Sequence, residues 1–296
     1  MTQRRVWLVL LVVPPLLWAG NALLGRAVVG LLDPIQLSFW RWLVALAALL
    51  PFTFRSLLAH RTVLLRHWRA VVVMGLCSVA AYNTLLYMAM HTTTAINATL
   101  MGACMPLMIL LLGRIWLGTP IRAGQALGIL VSAGGMLAVV TRGEPGRLLE
   151  LALTPGDGLM VLATLAWAVY SVMLRRFPLP VPGATLLCAF VMVGLAGLAP
   201  LYLWQGAPLP AAEAPVAGAI LYAGLFASLV AFYFWNRGVA AVGAATAGQY
   251  SYLIPLFTAL AAIPLLGEEV RWYHALGGGL IFAGIFLATR QRFAAS

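Results

Sequence analysis

The sequence predicts an all-α integral membrane protein, with ten transmembrane helices forming two inverted five-helix repeats. Three observations predict this. Of 296 residues, 63% are hydrophobic and 8% charged, and the mean hydropathy is +0.99. A soluble domain carries about 25% charged residues, so this chain cannot build a water-facing surface. Next, the apolar runs have crossing length, since a hydrocarbon core about 30 Å thick takes about 20 helical residues to span. Finally, the two halves resemble one another at an offset of 149 residues.

The runs fall at 6–24, 33–54, 68–90, 94–117, 120–141, 156–175, 183–205, 214–236, 241–264 and 271–290. Lipid offers backbone groups no partners, so runs of this length are helices. The alternation of barrel strands is absent. The first run follows Arg4 and Arg5. It is longer than a signal-peptide core and no A-x-A site follows it, so it counts as a span. All 18 basic residues are arginines, a compositional bias rather than a mechanism. They are scattered between apolar runs, which gives no nucleic-acid-binding patch.

With a cytoplasmic N-terminus, thirteen arginines fall on the cytoplasmic side: Arg4, Arg5, Arg55, Arg61, Arg66, Arg69, Arg114, Arg122, Arg175, Arg176, Arg237, Arg290 and Arg292. Four (Arg26, Arg142, Arg147 and Arg271) fall opposite, together with all seven acidic residues, Asp33, Glu144, Glu150, Asp157, Glu213, Glu268 and Glu269. The positive-inside rule thus favours ten spans with both termini cytoplasmic, in a bacterial cytoplasmic membrane. Cys77, Cys104 and Cys188 lie far apart inside apolar runs and read as small core residues.

At the 149-residue offset, Trp18-Ala19 meets Trp167-Ala168, Arg26 meets Arg175, and Pro106-Leu107 meets Pro255-Leu256. Gly118, Arg122, Ala126-Leu127-Gly128 and Gly135 likewise meet Gly267, Arg271, Ala275-Leu276-Gly277 and Gly284. The repeats are 6–141 and 156–290. Five spans each is an odd number, so the second copy enters from the other side. Inverted repeats of this kind are a signature of secondary transporters.

Several motifs resemble the EamA-type domain of the drug/metabolite transporter superfamily. They are Phe232 to Gly238 (FYFWNRG), Gly243-Ala244-Ala245, Pro255-Leu256, Leu265-Leu266-Gly267-Glu268 and Ala275-Leu276-Gly277. Trp167-Ala168-Val169-Tyr170 with Arg175-Arg176 resembles the opening of the second copy. Trp18 to Asn21 and Pro106 to Gly118 represent the first. The closing Gly-Glu is kept at Gly267-Glu268 but is Gly118-Thr119 in the first copy. The resemblance implies a pseudo-twofold carrier with a central cavity, lined by spans 1, 3, 4, 6, 8 and 9. Spans 5 and 10 would support the rim and homodimer contacts. It also implies export of amino acids or other metabolites.

Polar side chains inside a membrane usually face the protein interior. In the implied lining spans these are Trp18 and Asn21; Ser78, Tyr82, Asn83 and Tyr87; Asn97, with Met101 and Met105 on its face; Trp167, Tyr170 and Ser171; Tyr233 and Asn236; and Gln249 and Tyr252. Tyr82 and Asn83 are neighbours, so only one is expected to point squarely inward. Aromatic walls with a few amides and hydroxyls suit a zwitterion with an organic side chain. Trp7, Trp68, Trp116, Trp204 and Trp272 read as interfacial belts. Arg41 lies inside the second span. It is either a fixed cation for a substrate carboxylate or, more ordinarily, an arginine that snorkels or pairs with Asp33 or a backbone carbonyl. Pro106 and Pro255 are candidate hinges in otherwise continuous helices.

Asp157, near the mouth of the sixth span, is the one carboxylate near a site that proton coupling could use, while His91 and His274 lie near the outer face. Facilitated export or weak exchange is therefore expected over proton-driven export of drugs or organic cations. No P-loop, HExxH or metal-ligand spacing appears, and no cofactor is expected. An embedded enzyme, a scaffold and an open channel are the readings from other classes. Gly277-Gly278-Gly279 reads as close helix packing rather than a phosphate loop.

Overall fold

The structure, a computed structural model, describes residues 3–28, 30–149, 152–206, 209–210, 213–266 and 271–290. Glu150, Gly267, Glu268, Glu269 and Arg292, used above for topology and motif matching, lie outside the described residues. Among the described residues, nine helices are long and apolar enough to cross a membrane. They are α1 (Arg4–Leu24), α2 (Pro34–Ala59), α3 (Trp68–Ala89), α4 (Asn97–Leu117), α5 (Ala123–Val140), α6 (Pro155–Arg176), α7 (Gly183–Gln205), α8 (Ala214–Val242) and α10 (Trp272–Thr289). Between α8 and α10, where one continuous span was expected, α9 is built from three pieces: Ala244–Gln249, a 3₁₀ turn Tyr250–Tyr252, and Leu253–Leu266.

The breaks have identifiable causes. Proline lacks the N–H that would bond the carbonyl four residues back, and its ring crowds that carbonyl. Pro106 therefore cannot bond Gly102, and α4 is interrupted by a turn at Ala103–Cys104. Pro255 cannot bond Ser251, and the 3₁₀ turn lies just ahead of it. The Tyr252 hydroxyl donates to the Ala103 carbonyl at 3.1 Å, joining one break to the other. α3 and α8 carry π-helical segments at Leu76–Ala81 and Ala223–Val230. These overlap at the 149-residue offset, as do the breaks in α4 and α9. Pro14 and Pro15 likewise sit just after a turn at Leu11–Val12 in α1.

α6 packs against α3 and α4, and α1 packs against α8 and α9. α2 and α7 lie side by side, with α2 against the π segment of α8 and α7 against that of α3. α5 and α10 cross each other through glycine. A Cβ on Gly128 would fall 2.5 Å from the Gly284 carbonyl oxygen, and one on Gly135 would fall 2.5 Å from that of Gly277. The Ser132 hydroxyl donates to the Ile281 carbonyl at 3.2 Å across this crossing. Small residues let backbones approach where lipid provides no hydrophobic drive for association. These glycine faces are thus used within the chain, so a dimer through α5 and α10 would have to use their other faces. Trp68, Trp204 and Trp272 are exposed near helix ends, as an interfacial belt requires.

Candidate functional site

A cavity of about 570 Å³ opens at one end of the bundle, between His91 after α3, Arg142 and Arg147 after α5, and Tyr273-His274 at the start of α10. It descends past Met90, Met136 and Met160 to Trp18, Asn21, Tyr82, Asn83, Tyr87 and Tyr252. This volume suits a small organic molecule. Pro255 lines it, as do Gly102 and Ser251, the residues whose carbonyls lose a proline-blocked bond.

Below the cavity lies a plug of aromatic rings packed edge-on and tilted against one another. Trp167, 1% exposed, lies 4.7 Å from Tyr82, 5.1 Å from both Trp18 and Phe232, and 5.4 Å from both Tyr170 and Trp235, between ring centroids. The Trp18–Trp167 pair is edge-on at 89°, a favoured quadrupole geometry. Trp18 donates its indole N–H to the Ala227 carbonyl in the π segment (3.1 Å), and Trp235 donates to Ser171 Oγ (3.3 Å). The Trp167 indole N–H is buried without a partner. Tyr170 donates to Asn236 Oδ1 at 2.5 Å, tying α6 to α8 within the plug.

Arg41 is 1% exposed and neither snorkels nor pairs with Asp33. Asp33 lies two turns away, where its carboxylate caps α2 by accepting from the Ile35 N–H at 2.8 Å. Arg41 instead donates to Ser228 Oγ (3.0 Å), Asn83 Oδ1 (3.0 Å), Tyr87 Oη (2.5 Å) and, more weakly, Asn21 Oδ1 (3.4 Å). Its guanidinium also lies 5.5 Å from the Trp42 ring centroid. Three helices, α1, α3 and α8, thus gather neutral acceptors around one cation on α2, directly behind the cavity wall. Both Tyr82 and Asn83 reach the cavity although they are neighbours. An i→i+5 turn holds one residue more than an α turn, so the π segment just before them resets which faces point inward. The Asn83 amide N–H₂ donates to the Ser78 carbonyl inside that segment (3.4 Å).

The other candidate residues are placed elsewhere. Asn97 is pinned to the Ala152 carbonyl (2.9 Å) and to Asp157 (3.0 Å), and Met101 packs beside the buried Ala98 and Met160. Trp167, Tyr170, Ser171 and Asn236 belong to the plug rather than to the cavity surface. Gln249 donates to the Gln125 carbonyl at 3.4 Å. Tyr233 is 39% exposed and lines a separate apolar groove with Leu49, Leu187 and Phe234. Met105, expected on the face of Asn97, does line the cavity; Met90, Met136 and Met160 and the mouth residues Arg142 and Arg147 were missed. Methionine gives no polar signal in an apolar helix, and arginines outside the runs read as loop charges.

Asp157 is the third residue of α6, and it does not line the cavity. It completes a capping box with Thr154, whose N–H donates to it at 2.7 Å, and it accepts from Thr93 and Asn97. A Cβ on the adjacent Gly156 would come within 2.6 Å of the Ala89 carbonyl, so the backbones approach closely here. Asp157→Asn is expected to lower the melting temperature in detergent by a few degrees, the cost of a lost charged cap being about 1 kcal/mol. The pH dependence of transport should not change. A transport pH profile displaced by the substitution would contradict this structural role.

The EamA-like transporter family matches residues 5–141 and again 154–290. An uncharacterised transporter of Bacillus subtilis, YyaM, is 24% identical over 268 residues, 90% of this chain and 88% of that one. A probable terminal-alkyne amino-acid exporter of Streptantibioticus cattleyicolor is 27% identical over 228 residues, covering 75% of this chain and 73% of that one. One solved crystal structure superimposes with a TM-score of 0.80 at 23% identity, covering 99% of this chain and 100% of that one, and so shares the fold.

Proposed function

This chain belongs to the EamA-like transporter family, and we propose that it is a secondary transporter exporting amino acids or related zwitterions by alternating access. The observation that carries this reading is a cavity open at one end and sealed by an aromatic plug at the other. A carrier in one of its two end states has that shape, whereas an open channel is continuous. Two inverted copies supply two related packings, so the same site opens to either face. The arginine distribution supports a mouth, between His91 and Arg142, that faces outside the bacterial cytoplasmic membrane, with both termini inside. The state described here is then outward-open, the state from which an exporter releases its substrate.

The breaks at Pro106 and Pro255 are the hinges in this reading, each beside the cavity and linked by the Tyr252–Ala103 bond. Trp18, Tyr82 and Tyr252 supply aromatic surface for an organic side chain, and the methionines adapt to its shape. The amino-acid exporter among the relatives agrees with this substrate class. Export of lipophilic cations is the second reading. It would need a carboxylate facing the cavity, and the described lining residues include none.

The test is counterflow in liposomes loaded with unlabelled amino acids. Saturable uptake of the labelled counterpart, unaffected by an imposed pH gradient, is the expected result. Gradient-driven movement of an organic cation, with no amino-acid counterflow, would replace this reading by the second. Absence of any saturable flux would return the chain to a channel or scaffold.

A further inference from the structure

We propose that the cavity admits only substrates bearing an anionic group, a carboxylate in the zwitterions above, and that Arg41 sets this selectivity from behind the wall. The proposal rests on the transport reading. Arg41 is a fully buried arginine whose partners are all neutral: Ser228, Asn21, Asn83 and Tyr87. The buried or capping carboxylates are engaged elsewhere, Asp33 as the cap of α2 and Asp157 in the bracket formed by Thr93, Asn97 and Thr154. A buried charge is normally paired or neutralised. Arginine does not give up its proton, so the positive charge persists in the membrane interior.

This charge orients the wall. A guanidinium only donates, so amides facing it must turn their oxygens towards it. Asn21 and Asn83 do so, and Tyr87 accepts from Arg41 while donating to Asn21 Oδ1 at 3.2 Å. The Asn83 N–H₂ is taken by the Ser78 carbonyl. Asn21 lines the cavity with its oxygen turned towards Arg41, so its N–H₂ is one donor there, backed by a positive field. A carboxylate arriving there meets a donor and a countercharge; an ammonium meets repulsion.

Packing does not require a cation at this place. At the repeat offset Arg41 corresponds to Phe190, which is fully buried against the Tyr170 ring. Asn83 corresponds to Phe232, and Ser228 to Val79, both buried and apolar. Asn21 and Tyr87 correspond to Tyr170 and Asn236, which make the same hydrogen bond with the residue types exchanged. The equivalent cluster thus keeps the tyrosine–asparagine tie and is otherwise hydrocarbon, Phe190 and Phe232 from the second half and Val79 from the first. Of the two equivalent positions Arg41 and Phe190, only the one in the first half, Arg41, carries a charge.

The measurement is competition in counterflow between a zwitterionic amino acid and its carboxamide, which keeps the amine and side chain and loses the negative charge. The wild-type protein should prefer the amino acid by at least about thirtyfold, the factor that goes with a buried charge partner. Asn21→Asp puts a carboxylate where Oδ1 already faces Arg41, neutralising it internally. It should fold normally and lose the preference. Arg41→Lys should retain a reduced preference, because the charge stays while the fork is lost. Equal handling of the two compounds by wild type, or an unchanged ratio in folded Asn21→Asp, would overturn the proposal. Either result would leave the transport reading standing, since it shows flux. Absence of flux with both compounds in wild type would overturn the transport reading, and this proposal with it.

Discussion

Trp167→Ala is expected to unseal the closed end of the path. Trp167 is the one ring that touches Trp18, Tyr82, Tyr170, Phe232 and Trp235 together. Its indole N–H has no partner, so the residue is held by packing alone. Truncating a buried tryptophan costs about 3–5 kcal/mol. Two end states of a carrier differ by only a few kcal/mol, and a loss of about 3 kcal/mol confined to one of them shifts their ratio by more than a hundredfold.

A cysteine at Ser171, buried in the plug beside Trp235, reports this shift once the three native cysteines are removed. In the otherwise wild-type protein it should react slowly with an impermeant thiol reagent supplied at the face opposite the mouth. In Trp167→Ala the reaction should accelerate at least about tenfold, as expected for a closed state that is no longer the dominant one. Unchanged labelling would mean that the plug is not the seal and that closure resides in helix packing further down.

A second large effect is expected at the crossing of α5 and α10. Gly135→Leu forces a side chain into a space where a Cβ already lies 2.5 Å from the Gly277 carbonyl oxygen. Gly128→Leu does the same against Gly284. Neither helix can yield locally, because the obstacle is backbone. Overpacking costs about 1–3 kcal/mol in a core and more where nothing can move. Each substitution should lower the melting temperature in detergent by several degrees, while Gly134→Leu, which meets nothing within 4 Å, should not. Equal behaviour of Gly134→Leu and Gly135→Leu would show that the crossing does not support the fold.

Much of the fold is legible in the sequence because lipid reduces it to two rules, crossing length and satisfied backbone. Among the described residues nine runs become helices of membrane length, with α1 and α4 interrupted by short turns and α3 and α8 by π segments. The exception, at 241–264, has Pro255 in its middle, and sequence alone shows that a proline disrupts a helix without saying whether it bends or breaks it. α2 runs on to Ala59, past the expected end at 54, because Arg55 and Ser56 leave lipid without having to leave the helix.

The site is harder to read. Trp18, Asn21, Tyr82, Asn83, Tyr87 and Tyr252 are recognisable as inward polar groups. The partners of Arg41 come from α1, α3 and α8, up to 187 residues away, whereas the sequence displays only its neighbour Asp33. Inward-pointing also has two outcomes that periodicity cannot separate. Tyr170 and Asn236 point inward and meet each other, leaving no cavity surface. The π segments add a third obstacle, since they change which faces align without leaving a signature in composition.

The central claim is that one cavity opens alternately to two faces. Paired spin labels test it most directly, one pair across the mouth at His91 and Arg271, the other across the opposite end at Arg114 and Arg237. Adding substrate should shorten the mouth distance and lengthen the other in the same fraction of molecules. Two distances that stay fixed, or that widen together, would contradict alternating access.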